Sequence, residues 1–400
     1  MVRAPRVFLV AGEPSGDALG ARLMAALKAE TGGNITFAGV GGAAMRAEGL
    51  DSLFPMDELA VMGFLEVLPR VPRLLRRVRQ VVAAVRDEPP DVVVTIDSWG
   101  FNGRLARRFR KAVPGVPLVH YVAPMVWAWK AGRARELAGI LDHLMVLLPN
   151  EPAWFTPHGL PTTCVGHPVL DRSAAGSKDD GAAFRARHDV PADAPLLTVL
   201  PGSRRSEVDR LLAPFGGAVA DLARRFPGLR VVVPTVETVA DRVRAAVAQW
   251  AAPAVVTVDP AARAGAFAAA DAAIAASGTV VLELAAAGVP VVVGYRVSPV
   301  SAWLARRWLT VRYVTLVNLV LDREAIPEYL QEHCRADTLA DGAARLLADP
   351  EAARAQRAAA GEALGYLGRD GPSPAPRAAR VVLDVAGAGG IPDNGNEEGA

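Results

Sequence analysis

Short valine-rich runs alternate along the chain with stretches in which apolar residues return every third or fourth position. RVFLV, DVVVTID, VPLVHYV and HLMVLL come in the first part, and LLTVL, LRVVVP, AVVTV, DAAIAA and VPVVVGY in the second. The unbroken runs read as strands buried on both faces and the periodic stretches as helices. That alternation predicts an α/β protein with parallel sheets covered by helices. The polar, strand-free stretch LDRSAAGSKDDG, Leu170 to Gly181, reads as a linker. The expectation is two Rossmann-like domains, 1–170 and 185–345, with a cleft between them. A helical segment over 346–385 with no strand after it is expected to cross back to the first domain or to a partner chain, and 386–400, AGAGGIPDNGNEEGA, has the composition of a disordered tail.

Composition narrows the function classes. With 400 residues, 51% of them hydrophobic, the chain can bury two sizeable cores. The net charge of +2 comes from 44 basic against 42 acidic residues, so no global polyelectrolyte character points to a nucleic-acid partner. Two distant cysteines, Cys164 and Cys334, and histidines without partners at ligand spacing fit a reduced cytoplasmic protein with no metal site. The opening MVRAPRVFLVAGE has too short an apolar stretch for a signal peptide. Ala272 to Tyr295 is apolar enough to suggest a membrane span, but Ser277-Gly278, Glu283, Gly288 and Pro290 break it into strand, loop, helix and strand.

The loop after the first run, GEPSGDALG, has glycines at 12, 16 and 20, matching neither the dinucleotide fingerprint nor the P-loop. Its Glu13 and Asp17 would repel a phosphate and suit sugar hydroxyls or a proton to be abstracted. Asp17 reads equally well as a helix N-cap. Phosphate fits better in LPGSRRSEV, where Gly202 admits close approach, Ser203 and the following amides open a helix, and Arg204 or Arg205 can grip an anion. A surface turn with solvated arginines is the alternative. A second strand-loop-helix of this kind carries Ser277, Gly278 and Thr279, with Glu283 one turn on, placed for ribose hydroxyls or else a helix-surface glutamate. Together the two loops suggest a nucleoside diphosphate. Asp97 ends DVVVTID, where open parallel sheets bind ligands, and reads either as a base or as the cap of a helix starting near Asn102.

Phe64 to Val85, FLEVLPRVPRLLRRVRQVVAAV, sets Val71, Leu74, Leu75, Val78 and Val82 at helical spacing among arginines 70, 73, 76, 77 and 79. It reads as an interfacial helix for an anionic membrane, or as a core helix with a basic outer face. Trp303 to Arg312, WLARRWLTVR, adds a second aromatic and basic cluster that favours the membrane reading. The tryptophans of VWAWK read as packing, or as lining for an acyl or sugar site.

AGEPSGD, ELAVMGFLEVLPR, VWAWK, LLPNEPAWF, VGHPVLD, LPGSRRSEV, SGTVVLE, VGYR and VNLVLDREAIPEYLQEHC resemble, in order over about residues 5 to 350, the lipid-A-disaccharide synthase family. The resemblance implies a GT-B fold with the donor nucleotide on the C-terminal domain. It implies an inverting, metal-free and cofactor-free transfer from UDP-2,3-diacylglucosamine to 2,3-diacylglucosamine 1-phosphate, giving a β-1,6 disaccharide and UDP. It also implies a base at Asp97, less favourably Asp17 or Glu13, donor contacts at Arg204, Glu283 and Asn318, peripheral attachment to the inner membrane, and dimers that exchange C-terminal segments. The chain departs from the family at Trp99-Gly100, where Pro-Asp is usual, so a carboxylate near the acceptor is absent. Competing readings are another GT-B enzyme on UDP-N-acetylglucosamine, either an epimerase or a transferase with a soluble acceptor, and a non-catalytic, nucleotide-responsive membrane adaptor.

Overall fold

Val7 and Leu9 face one side of the first strand and Phe8 and Val10 the other, and all four are buried. Such a strand must sit inside a sheet covered on both faces. In the computed structural model, which describes residues 3–59, 71–124, 126, 132–170, 176–299, 302–303, 307 and 311–387, the chain folds into two compact units. One runs to Pro168 and resumes at Gly371; the other spans Val169–Asp370.

The first unit holds β1 (Arg6–Ala11), β2 (Thr36–Val40), β3 (Val92–Ile96), β4 (Leu118–Tyr121), β5 (His143–Val146) and β6 (Thr162–Cys164), all parallel in the order β2-β1-β3-β4-β5-β6. The second holds β7 (Leu196–Leu200), β8 (Arg230–Pro234), β9 (Ala254–Thr257), β10 (Ala272–Ala275), β11 (Val291–Tyr295) and β12 (Glu328–Leu330), in the order β12-β11-β10-β7-β8-β9, again parallel. The chain direction across each sheet reverses once, between β1 and β3 and between β7 and β10. At such a switch point the loops leaving two neighbouring strands part to opposite faces and open a crevice beyond the strands' carboxyl ends.

Every run of the hydrophobic pattern is a strand here. The strands it does not mark, β2, β6 and β12, lie at sheet edges, where one side meets solvent and apolar continuity is relaxed. The stretch Leu170 to Gly181 is not a linker throughout. Ser177 caps the helix Lys178–Arg187 in a reciprocal pair with Asp180, and that helix packs on Pro260–Ala269. The segment 346–385 does not cross as one piece. Ala336–Ala348 and Pro350–Tyr366 stay with the second unit, and only Pro374–Val385 lies on the first, burying Ala378, Ala379, Val382 and Leu383 against Pro14–Glu30.

The helix Val71–Asp87 corrects the interfacial reading of its apolar stripe. Val78, Val81 and Val85 are buried in the first unit's core, Leu74 and Val82 pack partly against it, and Leu75 is the exposed apolar residue. Arg77 is drawn inward over the Phe54 ring to a paired contact with Glu58. The outward face is basic, with Arg73, Arg76, Arg79 and Arg86 exposed. Phe64 to Arg70 lies outside the described residues, as do Trp127 and Trp129 of VWAWK, most of Trp303 to Arg312, and the tail from 388. Among the described residues no helix is long and apolar enough to cross a membrane.

Candidate active site

At the β1/β3 switch point the two loops are stitched together by hydroxyls. Ser98 donates to Glu13 Oε1 at 2.7 Å and Ser15 donates to Asp97 Oδ2 at 3.1 Å. The Ser98 amide donates to Asp97 Oδ1 at 2.7 Å. Asp97 and Ser98 take consecutive left-handed conformations, φ 55° and 44°, which ends β3 sharply and turns both side chains out of the sheet direction. The buried Asn102 holds that turn, its amide donating to the carbonyls of Ile96 at 3.0 Å and Asp97 at 2.8 Å. The following helix is Trp99–Ala112, starting earlier than Asn102, so Asp97 does not cap it. Asp97 and Glu13 are half-buried, open enough to meet a ligand.

Asp17 belongs to a different arrangement. It is 6% exposed and accepts from the amides of Gly42 at 2.7 Å, Ala44 at 2.9 Å and Met45 at 3.1 Å, so it caps the helix Ala43–Ala47 rather than its own. A Cβ at Gly42 would lie 2.5 Å from Asp17 Oδ2, which ties the glycine to the acid. Trp99 packs edge-on to the buried His120, with ring centroids 4.7 Å apart. Burial pushes the His120 imidazole down to about 3, against the opposing pull of backbone contacts at Thr95 and Val122. His120 is therefore neutral, its Nδ1 2.8 Å from Thr95 Oγ1.

The second switch point brings together the loops after β7 and β10, whose strands pair directly. Gly202 has φ 106°, and a Cβ there would meet Glu207 Oε2 at 2.7 Å. Glu207, almost buried in the first turn of Arg205–Arg225, accepts from Arg204 Nη1 at 3.0 Å and from the Tyr295 hydroxyl at 3.2 Å. Burial first, then the Glu207 charge, push the Tyr295 hydroxyl up. Ser203 and Arg204 remain exposed, and the guanidinium keeps donors unspent on Glu207. Across from them Gly278 and Thr279 are exposed at the start of Thr279–Ala286. The Ser277 hydroxyl donates to the Val314 carbonyl at 3.1 Å. Glu283 pairs with Arg263, the partner that a carboxylate in so apolar a stretch requires.

Asn318 is not at the loop surface. It is fully buried; its amide donates to Ile326 O at 2.7 Å and Glu328 Oε1 at 2.8 Å, and its oxygen accepts from Ala325 and Ile326 at 2.8 Å each. The residues that sequence reasoning missed are Ser15, Ser98, Glu207 and Glu328. Glu207 carries a readable signal, an acid three residues after the residue that precedes a helix; the two serines have partners more than eighty residues away, and those of Glu328 lie ten to fourteen residues back, at no helix or strand spacing.

The model of the family described as lipid-A-disaccharide synthetase matches residues 7–366. The chain belongs to this family. Relatives named lipid-A-disaccharide synthase include that of Paramagnetospirillum magneticum, 56% identical over 97% of this chain and 100% of its own, and that of Rhodospirillum centenum, 52% identical over 95% and 94%. Lipid-A-disaccharide synthases are glycosyltransferases, and solved structures agree on the fold. The UDP-GlcNAc 2-epimerase of Neisseria meningitidis bound to UDP-GlcNAc aligns with a TM-score of 0.62 at 12% identity, over 95% of this chain and 98% of that one. The calicheamicin glycosyltransferase aligns at 0.60 and 17% identity, over 98% and 100%. Acinetobacter baumannii MurG aligns at 0.56 and 16%, over 95% and 99%. The two parallel sheets with their helices are the GT-B architecture of a lipid-A-disaccharide synthase.

Proposed function

We propose that the chain transfers the sugar of UDP-2,3-diacylglucosamine to 2,3-diacylglucosamine 1-phosphate with inversion, and that its two switch points divide the work. The first unit's part is the base. Asp97 takes the proton of the acceptor's 6-hydroxyl as that oxygen attacks the anomeric carbon, while Glu13, held through Ser98, orients the sugar. Asp17, buried and held by three amides, is left a structural role. The second unit's part is the leaving group. As the C1–O bond breaks, charge develops on the diphosphate, and the amides of Ser203, Gly278 and Thr279 with the Arg204 guanidinium are suited to receive it. The single proton of the Ser277 hydroxyl is engaged by Val314, so that side chain steadies the loop and does not donate to phosphate. Glu283 serves the ribose from beside Arg263.

The observation that carries the reading is the convergence of Asp97, Glu13, Ser15 and Ser98 at one switch point, in a chain 56% identical to a lipid-A-disaccharide synthase. Lipid substrates suggest that the enzyme works at a membrane. With the apolar stripe of Val71–Asp87 in the core, attachment rests on its outward arginines, exposed Leu75 and Trp303, and segments outside the described residues. The test supplies UDP-diacylglucosamine with diacylglucosamine 1-phosphate and looks by mass for the disaccharide 1-phosphate and UDP. UDP-N-acetylglucosamine alone distinguishes an epimerase, and UDP-sugar binding without any product distinguishes the adaptor.

A further inference from the structure

A buried polar knot stands behind the donor loops that the proposed chemistry does not use. Glu328 opens the edge strand β12, where its backbone pairs with Val293, and its half-buried carboxylate reaches back to a segment ten to fourteen residues earlier. Oε2 accepts from the Val314 amide at 2.9 Å. Oε1 accepts from the Thr315 amide at 2.9 Å, the Thr315 hydroxyl at 2.7 Å and the Asn318 amide group at 2.8 Å. Thr315 and Asn318 are 1% and 0% exposed, so these donors have no water to fall back on. One carboxylate thus fixes the peptide planes from Val314 through the start of Leu316–Leu321. Fixing Val314 aims its carbonyl at the Ser277 hydroxyl, the contact that ties this segment to the loop bearing Gly278 and Thr279.

We propose that Glu328 is a positioning residue for the donor diphosphate: it acts through Val314 and Ser277 to hold the Gly278–Thr279 amides in their receiving geometry. The proposal rests on the reading of those amides as the diphosphate site. It also gives Asn318 a physical role, since Asn318 completes the knot with every side-chain donor and acceptor engaged by protein. Glutamine at 328 keeps the shape but turns an N–H group toward donors, so the knot loses an acceptor without losing volume.

The test uses the full-length chain with UDP as probe in calorimetry, with donor and acceptor KM measured separately. Glu328→Gln weakens UDP binding and raises the donor KM by about tenfold or more, the scale of a charged hydrogen bond lost from a buried site, while the acceptor KM stays within twofold. Thr315→Val, which keeps the carboxylate and removes one donor to it together with the hydroxyl that accepts from the Asn318 backbone amide, gives a smaller loss in the same direction. Ser277→Ala supplies the readout that a merely structural role would not move. If Glu328 acts through that contact, the Ser277→Ala/Glu328→Gln double variant binds UDP about as weakly as the worse single variant. Wild-type UDP affinity in Glu328→Gln, equal rises in both KM values, or losses that multiply in the double variant overturn the proposal. Absence of UDP binding by the wild-type chain overturns the diphosphate site itself, and this proposal with it.

Discussion

The Ser98 hydroxyl donates to Glu13 Oε1 across 2.7 Å, joining residues 85 positions apart in the chain. Through this bond the loop after β1 and the loop after β3 become one surface, with Asp97 beside it. Removing the Asp97 carboxylate therefore separates chemistry from binding. Asp97→Ala is expected to lower kcat by about a thousandfold, within the range for loss of a general base, with UDP affinity unchanged by calorimetry. Glu13→Gln and Ser98→Ala lower kcat less. Wild-type turnover in Asp97→Ala rules out its assignment.

Asp17 behaves differently. Asp17→Ala strands three amides at the start of Ala43–Ala47. The expected cost is at least about 2 kcal/mol in stability, read in urea unfolding. Catalysis by the folded fraction falls far less than in Asp97→Ala. A loss of kcat equal to that of Asp97→Ala without loss of stability would return Asp17 to the catalytic group.

At Gly202 backbone and packing act together. Alanine there combines an unfavourable φ of 106° with a Cβ placed 2.7 Å from Glu207 Oε2. Strain of about 1–2 kcal/mol is expected, together with weaker UDP binding as the turn shifts Ser203 and Arg204. Unaltered UDP affinity in Gly202→Ala would place the diphosphate elsewhere.

Acid destabilises the first unit through its buried imidazoles. Burial lowers His120 to about 3 and His167 to about 4, below the ordinary histidine value of 6.5. Between those values and 6.5 the unfolded chain binds protons that the folded chain refuses, so stability falls as pH drops through that window and is regained above it. Each histidine contributes a slope of up to about 1.4 kcal/mol per pH unit. Denaturant midpoints from pH 7 to 4 check the sign, and His120→Gln should flatten the slope.

The outward arginines of Val71–Asp87 predict salt-sensitive membrane binding. Arg73→Glu/Arg76→Glu/Arg79→Glu should lower sedimentation with vesicles containing phosphatidylglycerol by tenfold or more, on the basis of about 1 kcal/mol per cation near an anionic surface. Equal sedimentation of the variant and the wild type, at low and high salt, removes this helix from the contact.

Asp97 was legible as a strand-end acid, and Gly202 with Arg204 as a glycine turn opening a helix, because strand periodicity and turn chemistry are local. Glu13's partnership with Ser98 was not legible, since it depends on which loops the sheet order brings together, nor was the knot around Glu328, which depends on how the segment before β12 folds back on that strand. Asp17 shows the limit plainly. Its residue type permitted either a cap or a base, and the helix it caps lies 25 residues further on.

The amino-acid pattern by itself determined the strands of both sheet interiors, the two-unit α/β plan and the positions of the phosphate-type turns, because buried parallel strands need unbroken apolar runs and helix-opening turns need glycine and small polar residues. The tertiary structure alone decided the edge strands β2, β6 and β12, the burial of the valine stripe on Val71–Asp87, the restriction of the returning segment to Pro374–Val385, and which carboxylates stay open to a ligand. Each of these turns on a contact between distant segments, and no local periodicity records which surface will cover a given face.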